Sequence, residues 1–278
     1  MPFSLALFVY KTVVKHLPMP IIIPNKHTSP VFYPNENYQI VKYMDLTKFV
    51  SLLQRKSLFF CRLDKLEDHF EGTTAKSNRK RRYDLYATQH LRSTKFKKLN
   101  HEEILKNVEE HFDAERKMKA LKCICCWNIS DSESAALWKI YSDFNQGIMI
   151  TSKISSLIES FKATKEDIDL SEVNYINHSQ DDMPDGNMMY PVIHKHKAYS
   201  YEKELRLIHT VDFKGGLLYD WSKEEIEQGK YLNVDLDELI DEIILSPYSP
   251  NWYVKLIENL CETYGIKTRI MKSELSKE

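Results

Sequence analysis

The sequence predicts an α+β domain: a mixed, split antiparallel sheet with flanking helices and a helical insertion. Three observations lead there. Short strand-like runs alternate with single amphipathic helices over residues 38–271. Several late strands are separated by hairpin-like turns. A charged stretch, 73–120, is helical in tone and carries no strand patterning, so it is expected to protrude from the sheet as an insertion.

Taken in order, residues 1–37 are expected to form an extended arm, because five prolines fall between Pro18 and Pro34. The run 39–44, QIVKYM, opens the domain as a strand. Asp45 then caps a helix whose inner face is Phe49, Val50, Leu52 and Leu53. A second strand, 57–62 (SLFFCR), leads into an acidic turn that ends at Gly72. After the insertion, 121–128 (LKCICCWN) alternates, placing Leu121, Cys123, Cys125 and Trp127 on one face. Ser130 and Glu133 are spaced as a capping box for a helix with Leu137, Ile140, Tyr141 and Phe144 on one stripe. Ile148 to Ile150 is the next strand. Thr151 or Ser152 caps a helix with Ile154, Leu157, Ile158 and Phe161 inward. A strand at 173–176, a loop at 181–186 and the segment 199–209 follow. After the Gly215-Gly216 turn come strands at 231–234 and 242–245, a helix opened by Ser249-Pro250, and a last strand at 267–271. Residues 272–278 are a short tail.

Composition narrows the chemistry. The chain has 39 basic and 40 acidic residues, so only a local patch could attract a polyanion. Glycine occurs seven times, and no Rossmann turn, P-loop or nucleophile elbow can be written in this sequence. A nucleotide would have to bind by another architecture. Five cysteines without paired spacing suit reduced thiols, and no run is long and apolar enough for a membrane span, so a cytoplasmic protein without a membrane partner is expected.

The candidate centre is 199–209, YSYEKELRLIH. As a strand from Glu204 on, it turns Leu205 and Leu207 one way and Glu204 and Arg206 the other. A carboxylate at the start of a half-buried strand is partly desolvated and rigid, which suits charge stabilisation or proton transfer. The same residue types also fit a solvated edge. A second candidate is the acidic turn: Glu67, Asp68 and Glu71, with His194 and His196, could hold a metal in a nuclease. The basic segment from Lys76 to Lys98, with nine Lys or Arg and one acid, could then lie on nucleic acid. The acidic stretch 102–115 offers an internal match for that charge instead.

Three stretches, SLFFCRLDKLEDHFEG, CWNISDSESAALWKIYSDFNQGIMI, and YEKELRLI with EIILSPYSP, resemble the bacterial domain-of-unknown-function family 2971. Trp138, Tyr141 and Gly147, then Tyr201, Glu202, Glu204 and Arg206, carry the likeness; the first stretch lacks the family's Asn and Pro. The order of elements is also similar, more distantly, to ADP-ribosyltransferases. That resemblance implies an NAD-using transferase that needs no metal, with a nucleotide or small-molecule ligand. Glu204 would stabilise an oxocarbenium-like state and Glu202 would deprotonate the acceptor. Trp138 or Tyr141 would stack on nicotinamide, with Lys42, Tyr43, Arg62 and Arg206 completing the cofactor site. Lys42 and Tyr43 stand where those enzymes carry Arg or His, and Cys61 where many have Ser. A non-catalytic interaction domain is the remaining reading.

Overall fold

The structure, a computed structural model, describes residues 21–22, 31–68, 70–92, 100–142, 145–184, 186–212 and 219–276. Most of the expected arm, Phe144 and the Gly215-Gly216 turn therefore lie outside the described residues. In chain order the elements are β1 (Ile21–Ile22), β2 (Gln39–Met44), α1 (Leu46–Arg55), β3 (Ser57–Arg62), α2 (Lys76–Arg92), α3 (His101–Met118), β4 (Lys122–Ile129), α4 (Ala135–Tyr141), β5 (Ile148–Lys153) and α5 (Ile154–Ser160). They continue with β6 (Ile168–Glu172), β7 (Asn174–Ile176), α6 (Tyr190–Ile193), β8 (His194–His196), β9 (Glu204–Thr210), β10 (Gly229–Asn233), α7 (Leu236–Leu239), β11 (Glu242–Leu245), α8 (Asn251–Tyr264) and β12 (Arg269–Lys272).

The fold is α+β, with a mixed ten-stranded sheet in the order β1-β6-β9-β4-β2-β5-β11-β12, and β3 joining β4 to β10. Most pairings are antiparallel; β1 with β6 and β11 with β12 are parallel. The sheet splits at β4. Near its start β4 pairs with β3 through Ile124 and Cys123, and at its end with β2 through Ile129 and Asn128. Positions 125–127 have neither strand beside them on that edge, and the Lys42 ammonium donates to the Cys126 carbonyl there at 2.6 Å. The cation satisfies a backbone acceptor that no ladder reaches.

The two faces of the sheet differ. One carries the main core, where Phe49, Leu52, Leu53, Leu157, Leu239, Tyr253 and Ile257 from α1, α5, α7 and α8 meet Ile40, Cys123, Cys125, Trp127, Leu205 and Leu207. Alternation along β4 and β9 sends Cys126, Glu204 and Arg206 to the other face. There α4 packs Leu137 and Trp138 on Val41, Tyr43 and Met149, while Met189, Val192 and Ile193 cover Ile124 and Ile208. Polar side chains occupy the space between these two apolar groups.

Local chemistry accounts for several boundaries. Asp45 caps α1 by accepting from the Lys48 amide at 2.8 Å. The helix pair α2–α3 occupies the stretch expected to be helical, and Asn100 with Glu103 forms a full capping box on α3. Some expectations are corrected. The capping box at Ser130 is not formed: Ser134 caps α4, and Glu133 instead accepts from Trp138 Nε1 at 2.9 Å. Ile140 is exposed and Tyr141 partly so, because α4 lies on the sheet through Leu137 and Trp138. Neither Thr151 nor Ser152 caps α5, since β5 runs directly into it through Lys153. Strand β6 was not anticipated; its IDLSE pattern has too few β-branched residues to declare itself.

Candidate functional site

Strand β9 is held by β4 on one side and β6 on the other, and its side chains are buried on both faces because each face of the sheet is covered. Leu205 and Leu207 enter the main core, and Glu204 and Arg206 point to the second face. The solvated-edge reading fails: Glu202, Glu204 and Arg206 are 3%, 4% and 0% exposed. The chain reaches β9 through a 3₁₀ turn, Lys197–Glu202, followed by Lys203 at φ 43°. A left-handed lysine is strained. Here it points its own side chain to solvent while the carboxylates on either side, Glu202 and Glu204, turn into the protein.

Five charged groups meet in this place. The Arg206 guanidinium donates to Glu204 Oε1 at 2.7 Å, to both Glu71 oxygens at 2.8 and 2.9 Å, and to the Val192 carbonyl. The Lys195 ammonium donates to Glu202 at 2.6 Å and Glu204 at 3.1 Å, and lies 3.2 Å from Glu71. Tyr141 closes the set by donating its hydroxyl to Glu202 Oε1 at 2.6 Å. Asn128 holds the Glu202 carbonyl, and the Tyr175 hydroxyl accepts from the Glu204 amide, so the backbone under both carboxylates is fixed as well. Three carboxylates share two cations, which leaves a formal charge of one negative unit when all are ionised.

The two central carboxylates behave oppositely. Burial raises the Glu202 pKa, and its bonds to Lys195 and Tyr141 only partly reverse that. Burial acts on Glu204 too, but the charges of Arg206 and Lys195 overcome it and hold that carboxyl at about 2. Two acids on one ammonium are thus shifted in opposite directions, Glu204 downward by its cations and Glu202 upward by burial. Lys195 has its pKa raised, because the acids around it outweigh its desolvation.

The other residues expected at the site are placed as follows. Lys42 and Arg62 share the core face with Ile40 and Phe60, opposite Glu204 and Arg206, because strand parity puts them there. Lys42 is bonded to the Cys126 carbonyl; Arg62 is paired with Asp64 at 2.8 Å and stacked on Trp221 at 4.6 Å. Tyr43 and Trp138 do lie on the cluster's face, but pack on each other at 4.9 Å within the α4 contact. The Tyr43 hydroxyl accepts from the Ser134 amide. Only Tyr141 extends from this group to the carboxylates, and it meets Glu202, not Glu204.

Glu71 and Lys195 complete the cluster, and neither was assigned there from the sequence. Glu71, expected with Glu67 and Asp68 to ligate a metal, instead accepts from Arg206 through both carboxylate oxygens. Among the described residues, no group of three or more His, Cys, Asp or Glu is arranged to hold a metal ion. The one signal for Lys195 is its position in HKH, where alternation isolates the lysine from its two histidines. The basic segment is partly neutralised from within, since Arg79 pairs with Glu109 of α3 at 2.8 Å. Lys95, Lys97 and Lys98 lie outside the described residues. No described helix is long and apolar enough to cross a membrane, and all five cysteines are free.

The chain matches no protein-family model, including that of family 2971, and matches no curated protein. Two solved structures of DarT from Thermus sp. 2.9 align with it. The complex with NAD+ does so at 9% identity and a TM-score of 0.36, the complex with carba-NAD+ at 8% and 0.34. Both alignments cover 87% of this chain and 98% of that one.

Proposed function

We propose that this protein is an NAD-using, ADP-ribosyltransferase-like enzyme whose centre is the Glu202/Glu204 pair. The observation that carries the reading is that two buried carboxylates, Glu202 and Glu204, are held on one lysine at 2.6 and 3.1 Å. Cleavage of a nicotinamide–ribose bond sends the bonding electron pair to nicotinamide and leaves an oxocarbenium-like ribose. A fixed anion, Glu204, opposes that charge. The acceptor hydroxyl then bonds to the anomeric carbon, and its proton passes to Glu202, whose raised pKa suits it as the base. Tyr141 is partly exposed and bonded to Glu202, so it links that carboxylate to the protein surface. The ligand is a nucleotide, and a reducing, cytoplasmic setting fits the free thiols.

A second reading has its own support: every member of the cluster is bonded and buried, as in a non-catalytic protein pinned by a charge knot. Tyr141→Phe separates the two, because it removes one hydroxyl and leaves the five charges in place. The enzyme reading expects wild-type protein to release nicotinamide from NAD. The variant should lose activity roughly tenfold or more, with the limb of the pH profile due to Glu202 moved upward, since a donor to its carboxylate is gone. Wild-type protein that neither binds nor cleaves NAD would leave the structural reading.

A further inference from the structure

We infer that the cleft between the turn 72–75 and the helix pair α2–α3 is a second ligand site, for a small hydroxyl-bearing phosphate monoester of the sugar-phosphate class. It encloses about 360 Å³ and is lined by Thr73, Thr74, Arg79, Phe112, Arg116 and Lys119, with Glu115 at its wall. That volume falls within the ~300–1,000 Å³ of small-molecule sites. Gly72 shapes it: its φ is +64°, and an added Cβ would meet Leu63 at 2.3 Å and the Lys119 side chain at 3.4 Å.

Three cations face this space. Lys119 is the informative one. Desolvation lowers its pKa, and it feels Glu71, Asp64 and Asp68 only through space. Each of those acids is bonded elsewhere: Glu71 to Arg206, Asp64 to Arg62, Asp68 to the Phe70 amide. The Lys119 ammonium is partly buried and, among the described residues, has no bonded counter-ion, which a bound anion would supply. Arg79 and Arg116 do have partners, Glu109 and Asp113, but both pairs are about half exposed. Such pairs contribute little and can be exchanged for phosphate, whose oxygens match a guanidinium fork.

Glu115 sets the ligand's second feature. Its pKa is lowered although burial works the other way, because His111 and Thr74 bond its carboxylate. An ionised acid in the wall repels a bare anion and accepts from a hydroxyl. Phosphate at the three cations with a hydroxyl at Glu115 describes a sugar phosphate better than inorganic phosphate. Phe112, with the Arg79 guanidinium 5.2 Å from its ring centre, supplies an apolar wall. The site needs nothing from the NAD reading; it shares with the charge cluster only the turn that carries Glu71.

The test is calorimetric titration of the full chain with ribose 5-phosphate at low salt and without NAD. Saturable one-to-one binding is expected, at least tenfold weaker in Lys119→Gln and in Arg79→Gln, and unchanged in Lys139→Gln on α4. Ribose and inorganic phosphate should each bind at least tenfold more weakly than the ester. So that a folding defect does not decide the matter, the amide shifts of Thr73 and Thr74 are followed in wild-type protein during the same titration and should move with saturation. Absence of saturable binding, undiminished binding in both variants, unmoved Thr73 and Thr74 amides, or equal affinity for inorganic phosphate would each overturn the proposal.

Discussion

Arg206 has no exposed surface and holds two carboxylates and a carbonyl, so its removal leaves two buried carboxylates short of a cation. Breaking a buried pair typically costs about 3–5 kcal/mol, because the partner is left charged and dry. Arg206→Met is expected to lose stability on that scale in urea denaturation. Glu204→Gln should lose stability in the same direction, so any activity measured on that variant has to be read beside its unfolding curve. The pH response follows from the depressed Glu204 pKa. A carboxyl held at about 2 in the folded protein, against 4.5 when free, stabilises the fold above its unfolded value and loses that contribution as pH falls towards 2. Glu202, with its pKa raised, opposes this: keeping it ionised weakens the fold above its unfolded pKa.

At the level of elements, the short strand β8 places histidines on either side of Lys195. His194 donates from Nδ1 to the Tyr190 carbonyl at 2.6 Å, and its other nitrogen meets the Asn174 amide at 3.2 Å, which fits a neutral ring. His196 accepts from the Ala198 amide and so caps the 3₁₀ turn that ends in Glu202. His178 stacks on His196 at 5.8 Å, is 3% exposed, and has no hydrogen-bond partner on either ring nitrogen among the described residues. Its pKa is lowered first by burial and then by His196 and His194; Asp68 opposes this, and Phe70 lies 6.0 Å away. A histidine depressed below 6.5 contributes fully above that value and less as pH falls, because the unfolded chain then binds the extra proton. Wild-type melting temperature should therefore drop between ~pH 7.5 and ~pH 5.5 by more than that of His178→Phe. Equal drops in the two proteins would remove His178 from the explanation.

For the whole molecule, the split at β4 is the feature on which the two faces depend. Helices α1, α5, α7 and α8 close one face over an apolar core. The other face is covered by short pieces, α4, α6 and β8, and these leave room for charge. Lys42 satisfies the strand edge inside the split. Lys42→Met keeps the aliphatic stem and removes the donor, leaving the Cys126 carbonyl unpaired, which should cost about 1–3 kcal/mol in chemical denaturation. A change within about half a kcal/mol would place another donor at that carbonyl.

What the sequence determined by itself was whatever short-range chemistry controls. The α+β class, the Asp45 cap, the Cys123/Cys125/Trp127 face and the Leu205/Leu207 against Glu204/Arg206 alternation all follow from neighbours within a few residues. The two glutamates and the arginine set among leucines over 199–209 are legible in the same local way. What only the tertiary structure decided is the company those residues keep. Glu71 is separated from Arg206 by 135 positions and Tyr141 from Glu202 by 61, and no local pattern encodes such meetings. Sheet order likewise decided which face each cation takes, sending Lys42 and Arg62 away from the carboxylates and bringing Lys195 among them. The physical reason is that a strand's parity is written in its sequence, whereas the strand beside it, and so the charge across from it, is set by how the whole chain packs.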